Sequence, residues 1–175
     1  QQSPMPPLAN KHILIMGLGR FGGGAGVARF AASQNARVTI TDRAPANQLD
    51  TTPINDLLEA HAVTLITRPH AQAVPRPWLN RFINAARARN IPITTEIALA
   101  IPLLLDRLAP TSNLIAVTGS AGKSTTAAMI HHALQSLGRP TLLAGNIGGS
   151  LLNQLDDIAP DTTPVLELSS AQLHW

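Results

Sequence analysis

Apolar and polar positions along the chain fall into two kinds of run. Short stretches of four or five mostly aliphatic residues end near glycine, aspartate or threonine, and longer segments between them carry apolar residues at helical spacing. Strands are expected at 12–16, 37–41 and 63–67, with helices over about 24–34, 54–60 and 78–89. In the first of these helices Val27, Phe30 and Ala31 form the inner face. In the last, Trp78 and Phe82 at i and i+4, with Ala85 and Ala86, look like core packing. A short strand is expected at 91–94, then a helix over 96–108 kinked at Pro102.

Turn formers gather at 109–113 and mark a boundary. Beyond it the alternation resumes: an apolar run from Leu114 to Val117, a helix over about 123–137 stopped by Gly138 and Pro140, and a strand at 141–144. A helix near 150–155 and a strand at 164–168 complete the pattern. Strands alternating with helices imply parallel sheets. The fold class is therefore α/β: a Rossmann-like unit at 11–109, then part of a P-loop NTPase-type unit at 113–175. Residues 1–10, polar and proline-bearing, read as a flexible arm.

Each unit opens with a strand, a glycine loop and a helix. In the second, Thr118-Gly119-Ser120-Ala121-Gly122-Lys123-Ser124-Thr125 is a phosphate-binding pattern in its proper context. Glycines let backbone amides turn towards phosphate oxygens, and the helix start adds unpaired donors. Lys123 brings a mobile charge, and the Ser124 hydroxyl is placed to meet a magnesium ion. The loop is shorter than the usual Gly-x-x-x-x-Gly-Lys-Ser/Thr form, whose first glycine would fall at Val117. Lys123 is one of only two lysines in the chain, beside eleven arginines, which favours a specific use for it.

In the first unit Gly17, Leu18, Gly19, Arg20, Phe21 and Gly22 match Gly-x-Gly-x-x-Gly, and Asp42 follows at the next strand end. A nicotinamide dinucleotide, another diphosphate nucleotide, or a glycine turn without ligand all satisfy this pattern. Arg43 permits a contact to a further anion or a base. His131 and His132 read as ordinary helix residues.

Composition narrows the field. An apolar fraction of 45% supplies a core, and charged residues at 13% are too few for a wholly disordered chain. The net charge of +3 is scattered over arginines, and only 3% of residues are aromatic, so no nucleic acid partner is expected. Without cysteine there is neither a disulfide framework nor a thiolate metal site, which fits a cytoplasmic protein. The longest apolar run, 97–105, is about half the ~20 residues a membrane span needs and contains Pro102, so membrane insertion is not expected. No secretory signal opens the chain, and the absence of an initiator methionine suggests a start inside a longer protein. Oligomeric state is left open.

Three segments, TGSAGKST at 118–125, GNIG at 145–148 and ELSSAQL at 167–173, stand in order at the ends of successive expected strands. Together they resemble the Mur ligases of peptidoglycan synthesis, most closely the branch that adds D-glutamate. The segment ITTEIAL at 93–99 is similar to the stretch before that family's interdomain linker. The resemblance implies an ATP-dependent ligase whose substrates are UDP-N-acetylmuramoyl-L-alanine and D-glutamate, with ATP and Mg2+ required. It further implies that Thr118 to Thr125 and Asn146 bind ATP, that Lys123 and Glu167 act in catalysis, and that Ser124 and Glu167 hold magnesium. Gly17, Leu18, Gly19, Arg20, Phe21, Asp42 and Arg43 would line the uridine nucleotide, and Ser169 and Gln172 would face the substrate. Glu167 could instead cap the following turn, and Asn146 could serve its glycine turn alone.

Against the family pattern, the stretch 69–77 is short by a strand and a loop, and the chain stops just past ELSSAQL. The resemblance places the rest of the ATP-binding domain and the domain that receives the amino acid beyond Trp175, so the 175 residues alone are expected not to turn over. Other readings stay open: a folylpolyglutamate-type or different Mur ligase, a non-catalytic UDP-sugar-binding relative, or a nicotinamide-dependent oxidoreductase.

Overall fold

β-Branched residues at alternate positions give the first three strands one apolar face each. β1 (His12–Met16), β2 (Arg37–Thr41) and β3 (Val63–Ile66) pair in parallel in that order, with Ile15 beside Ile40 and Ile40 beside Leu65. Parallel neighbours in register share a face, so Ile13, Ile15, Val38, Ile40, Val63 and Leu65 line up together. The computed structural model describes residues 8–18, 23–42, 44–45, 48–66 and 77–173, without the side chains of 66, 77–81, 171 and 173. Gly19, Arg20, Phe21, Gly22, Arg43, Trp78's side chain, most of the arm and of the short 69–77 stretch lie outside the described residues.

Helix α1 (Gly23–Ser33) lies on this face through Ala25, Ala28 and Ala31. The expected inner face is thus shifted. Ala31 belongs to it and half-buried Val27 packs against both cores, whereas Phe30 reaches the second core, because α1 is covered on two sides. A 3₁₀ turn at Thr52–Ile54 and a five-residue α2 (Asn55–Glu59) replace the single helix expected over 54–60. Arg29 of α1 pairs with Asp56 of α2 at 2.7 Å, and this guanidinium holds the Asp56 carboxyl below its usual value.

Helix α3 (Pro77–Ala88) forms, but Phe82 is exposed and Ile83 and Ala86 are the half-buried positions. Of the other residues expected on its inner face, Ala86 is half-buried and Ala85 exposed, and the Trp78 side chain lies outside the described residues. The strand expected at 91–94 does not form. Asn90 turns the chain with φ 53°, Pro92 has no N–H for a ladder, and Ile91 is exposed. The segment instead leads into α4 (Glu96–Arg107), whose cap is Thr95: its hydroxyl accepts the Ala98 amide at 3.2 Å.

The second sheet contains β4 (Ile115–Val117), β5 (Thr141–Gly145) and β6 (Thr163–Glu167), all parallel, in the order β4-β6-β5. The last strand in sequence is the middle strand in space. It is buried along its whole length, as a strand covered on both faces must be. Helix α5 (Lys123–Ser136) covers one face through Ala127, against Val117 and Val165. On the other face α4 and α6 (Leu151–Gln154) meet Leu166 and Ala144 through Ile97, Ala100, Leu104 and Leu151. A 3₁₀ turn, Leu155–Asp157, extends α6, and Arg107 pairs across this layer with Asp156 at 3.0 Å. A last short helix, α7 (Ser170–Leu173), follows β6. Among the described residues no helix is long and apolar enough to cross a membrane.

Candidate functional site

Register brings the three motif segments together. Val117, Glu167 and Gly145 are paired across the sheet, so the loops that follow β4, β6 and β5 leave its carboxyl edge side by side. Backbone bonds tie them: the Leu168 amide donates to Val117 at 2.9 Å, and the Asn146 amide to the Glu167 carbonyl at 2.9 Å. Gly145 has φ +100°, and a Cβ there would run into the Glu167 carbonyl, so only glycine lets the strands approach this closely. Ligands of open parallel sheets bind at such edges.

The loop from Thr118 turns into α5 at Gly122, which caps the helix from the left-handed region with φ 73°. No side chain caps that helix end, which leaves its first amides to a ligand or water. Lys123 is half-buried and folds back over the loop; its Nζ donates to the Gly119 carbonyl at 3.0 Å. Thr118, Ser120, Ala121, Ser124 and Thr125 are exposed. His131 bonds Thr141 at 3.2 Å, joining α5 to β5, and His132 is exposed.

Glu167 is 3% exposed, and its Oε2 is buried without a hydrogen-bond partner among the described residues. A carboxylate oxygen left bare in the interior is costly and rare in native folds. Strand alternation puts Glu167 on the face of Val165 and Val117, the face that α5 covers. Lys123 at the head of α5 therefore stands on the same side of the sheet. Glu167 does not cap the turn after it. That turn is closed by Ser169 and Gln172: the Ser169 amide donates to Gln172 Oε1 at 2.7 Å, and the Gln172 amide to Ser169 Oγ at 3.3 Å. This reciprocal pair is a capping box, legible as Ser-x-x-Gln inside ELSSAQL.

In the first loop Asp42 shapes the backbone. Its Oδ2 accepts the Leu18 amide at 3.1 Å and its Oδ1 the Ala44 amide at 2.9 Å. The Gly17 amide donates to Thr41 at 2.7 Å, and the Leu18 side chain is buried in the first core. Leu18 could thus meet a ligand by its main chain only. A residue that sequence reasoning passed over is Glu96, which bonds Ser150 and the Leu152 amide across the two units. The ITTEIAL segment held the signal: a carboxylate beside a threonine cap that already satisfies its helix end.

Among the described residues no three His, Asp or Glu side chains gather into a metal site. A divalent ion at the second loop would instead be held as magnesium usually is, by a single carboxylate, a hydroxyl and the phosphates of its ligand. The bare Oε2 of Glu167 fits that use.

Fold and site define a parallel α/β protein with two glycine loops, each at the carboxyl edge of its own sheet. No family model matches the chain. It is 39% identical over 178 residues to the UDP-N-acetylmuramoylalanine–D-glutamate ligase of Roseiflexus sp. (strain RS-1), covering 95% of this chain and 36% of that protein. Proteins of the same name from Treponema pallidum (strain Nichols) and Geobacillus kaustophilus (strain HTA426) are 37% and 31% identical, over 95% and 94% of this chain and 32% and 37% of theirs. Over nearly all of its length the chain is thus similar to proteins named UDP-N-acetylmuramoylalanine–D-glutamate ligase. It spans about a third of the length of the curated relatives it matches. A solved pseudomurein peptide ligase type C from Methanothermus fervidus aligns over 92% of this chain and 33% of its own, with TM-score 0.40 and 18% identity.

Proposed function

We propose that the protein carrying this chain is a cytoplasmic, ATP-dependent ligase that joins D-glutamate to UDP-N-acetylmuramoyl-L-alanine. The observation that carries the reading is the bare, buried carboxylate of Glu167 on the α5 side of the sheet, beside the glycine loop. The relatives' names supply the substrates. In this reading the first loop, Gly17 to Phe21 with Asp42 and Arg43, holds the uridine nucleotide, and Thr118 to Thr125 with Asn146 holds ATP.

The reaction has two steps. A carboxylate oxygen of the muramoyl-alanine substrate attacks the γ-phosphorus of ATP, and ADP leaves. The amine of D-glutamate then attacks the resulting acyl carbon, an amide forms, and phosphate departs. Lys123 gives up its bond to the Gly119 carbonyl and sets its charge against the phosphoryl oxygens. The first amides of α5 donate to the same phosphates. Ser124 and Glu167 hold Mg2+, which neutralises phosphate charge when bound. Ser169 and Gln172 keep the strand end rigid and border the substrate.

The test is phosphate release by the whole protein that depends on ATP, UDP-N-acetylmuramoyl-L-alanine and D-glutamate together. Lys123→Ala is expected to lower kcat by about 10³-fold, the scale of losing a preorganised charge at a transition state. Release that persists without D-glutamate, or a variant that keeps its rate, sinks the reading.

A further inference from the structure

Glu96 lies outside both glycine loops yet meets the chain just after the first of them, at Gly23, and just after the loop at Gly145–Gly149, at Ser150. It is the first residue of α4, whose end Thr95 already caps, so its carboxylate is free for neighbours. Oε1 accepts from the Ser150 hydroxyl at 2.5 Å and from the Leu152 amide at 3.4 Å. Ser150 follows the Gly145–Gly149 loop directly and occupies the cap position of α6, but its own side chain makes no cap bond. Glu96 supplies the acceptor in its place.

The other oxygen faces the first unit. A Cβ on Gly23, the first residue of α1, would stand 2.8 Å from Oε2. Three residues on, a Cβ on Gly26 would collide with Ser150 Oγ. Positions i and i+3 share a helix face, so α1 keeps that face bare for Glu96 and Ser150. The carboxylate also sits favourably at the positive end of α1. Ser150 is only 5% exposed, so its bond to Glu96 is shielded from water and charge-assisted.

The geometry points to Glu96 as a positioning residue: through Ser150 and Gly23 it fixes the spacing between the start of α1, which follows the first glycine run in sequence, and the loop at Gly145–Gly149. The consequence for catalysis rests on the ligase reading. A substrate held by its nucleotide at the first loop must present its carboxylate to a phosphate donor held at Thr118–Thr125, and the Gly145–Gly149 loop leaves the same sheet edge beside that loop. Reaction requires the two atoms within about 3–3.5 Å, and a shift of about 1 Å costs about 10²-fold in rate. Glu96 touches neither ligand.

The experiment compares Glu96→Ala, Glu96→Gln and Gly26→Ala in the whole protein. Glu96→Ala is expected to lower kcat about 10- to 100-fold, with KM values and the separate affinities for UDP and ATP within about twofold of the parent. Glu96→Gln still accepts from Ser150 and restores most of the rate. Gly26→Ala reproduces the loss with Glu96 intact. Amide hydrogen exchange, which needs no activity, speeds up at Leu152 and the first turn of α1 in Glu96→Ala and stays unchanged in β2 and β6. An unchanged kcat overturns the proposal. So does weakened binding of UDP or ATP measured singly, which marks a residue that merely keeps one unit folded. If the parent protein neither binds UDP nor forms amide, the ligase reading fails and the catalytic role with it, while the exchange pattern still decides whether Glu96 holds the seam.

Discussion

Two carboxylates stand at strand ends on the carboxyl edges of the two sheets, and the chain treats them oppositely. Asp42, after β2, has both oxygens engaged by backbone amides, those of Leu18 and Ala44. Glu167, ending β6, has an oxygen buried with no partner. The short aspartate reaches amides of its own turn and of the adjoining loop, as such residues commonly do. Glutamate at the end of a central strand finds the flanking amides already committed to the ladder and to the crossing bonds of Leu168 and Asn146. One carboxylate therefore completes a loop, and the other leaves a buried oxygen unengaged by the described residues.

That contrast can be broken by stability alone. Asp42→Ala strands two amides and is expected to destabilise the protein by about 2 kcal/mol in denaturant unfolding. Glu167→Met removes a bare buried acceptor at similar volume. It is expected to stabilise by about 1 kcal/mol without divalent ions, and to abolish any rise in Tm with Mg2+ plus ATP. Equal destabilisation by both substitutions would erase the distinction.

A smaller effect separates loop carboxylates from surface ones. The hydrogen bond from Arg29 lowers the Asp56 carboxyl from its ordinary value of 3.8. A lowered folded-state pKa adds stability that is whole above 3.8 and is lost as pH falls through the lowered value. Arg29→Met should remove that acid-side dependence and little else, since the pair is exposed and screened. An acid unfolding profile unchanged by the substitution would show the pair to be idle.

Local rules carried far in this chain because most of its elements are set by near neighbours. Both glycine loops, the stop at Gly138 and the alternation of strands with helices are readable from spacing. Two errors came from the same source. The residues at 91–94 have strand composition, yet Pro92 and the turn at Asn90 deny them a ladder. Phe82 has core composition, yet it stands exposed on α3. Ser169 and Gln172 show the converse: their pairing was legible as a helix cap, although their motif drew attention to a substrate.

By itself the sequence determined the α/β class, the parallel sense of the strands and the order in which strands, glycine runs and helices follow one another. Such features depend on residue type and on intervals of a few positions. Only the tertiary structure decided that β6 runs between β4 and β5, which buries Glu167 between the strands that end at Val117 and Gly145. It alone laid α1 between two cores and set Glu96 against Ser150, 54 positions away. Contacts of that separation are chosen by which faces can be covered at once, and no local interval encodes that choice.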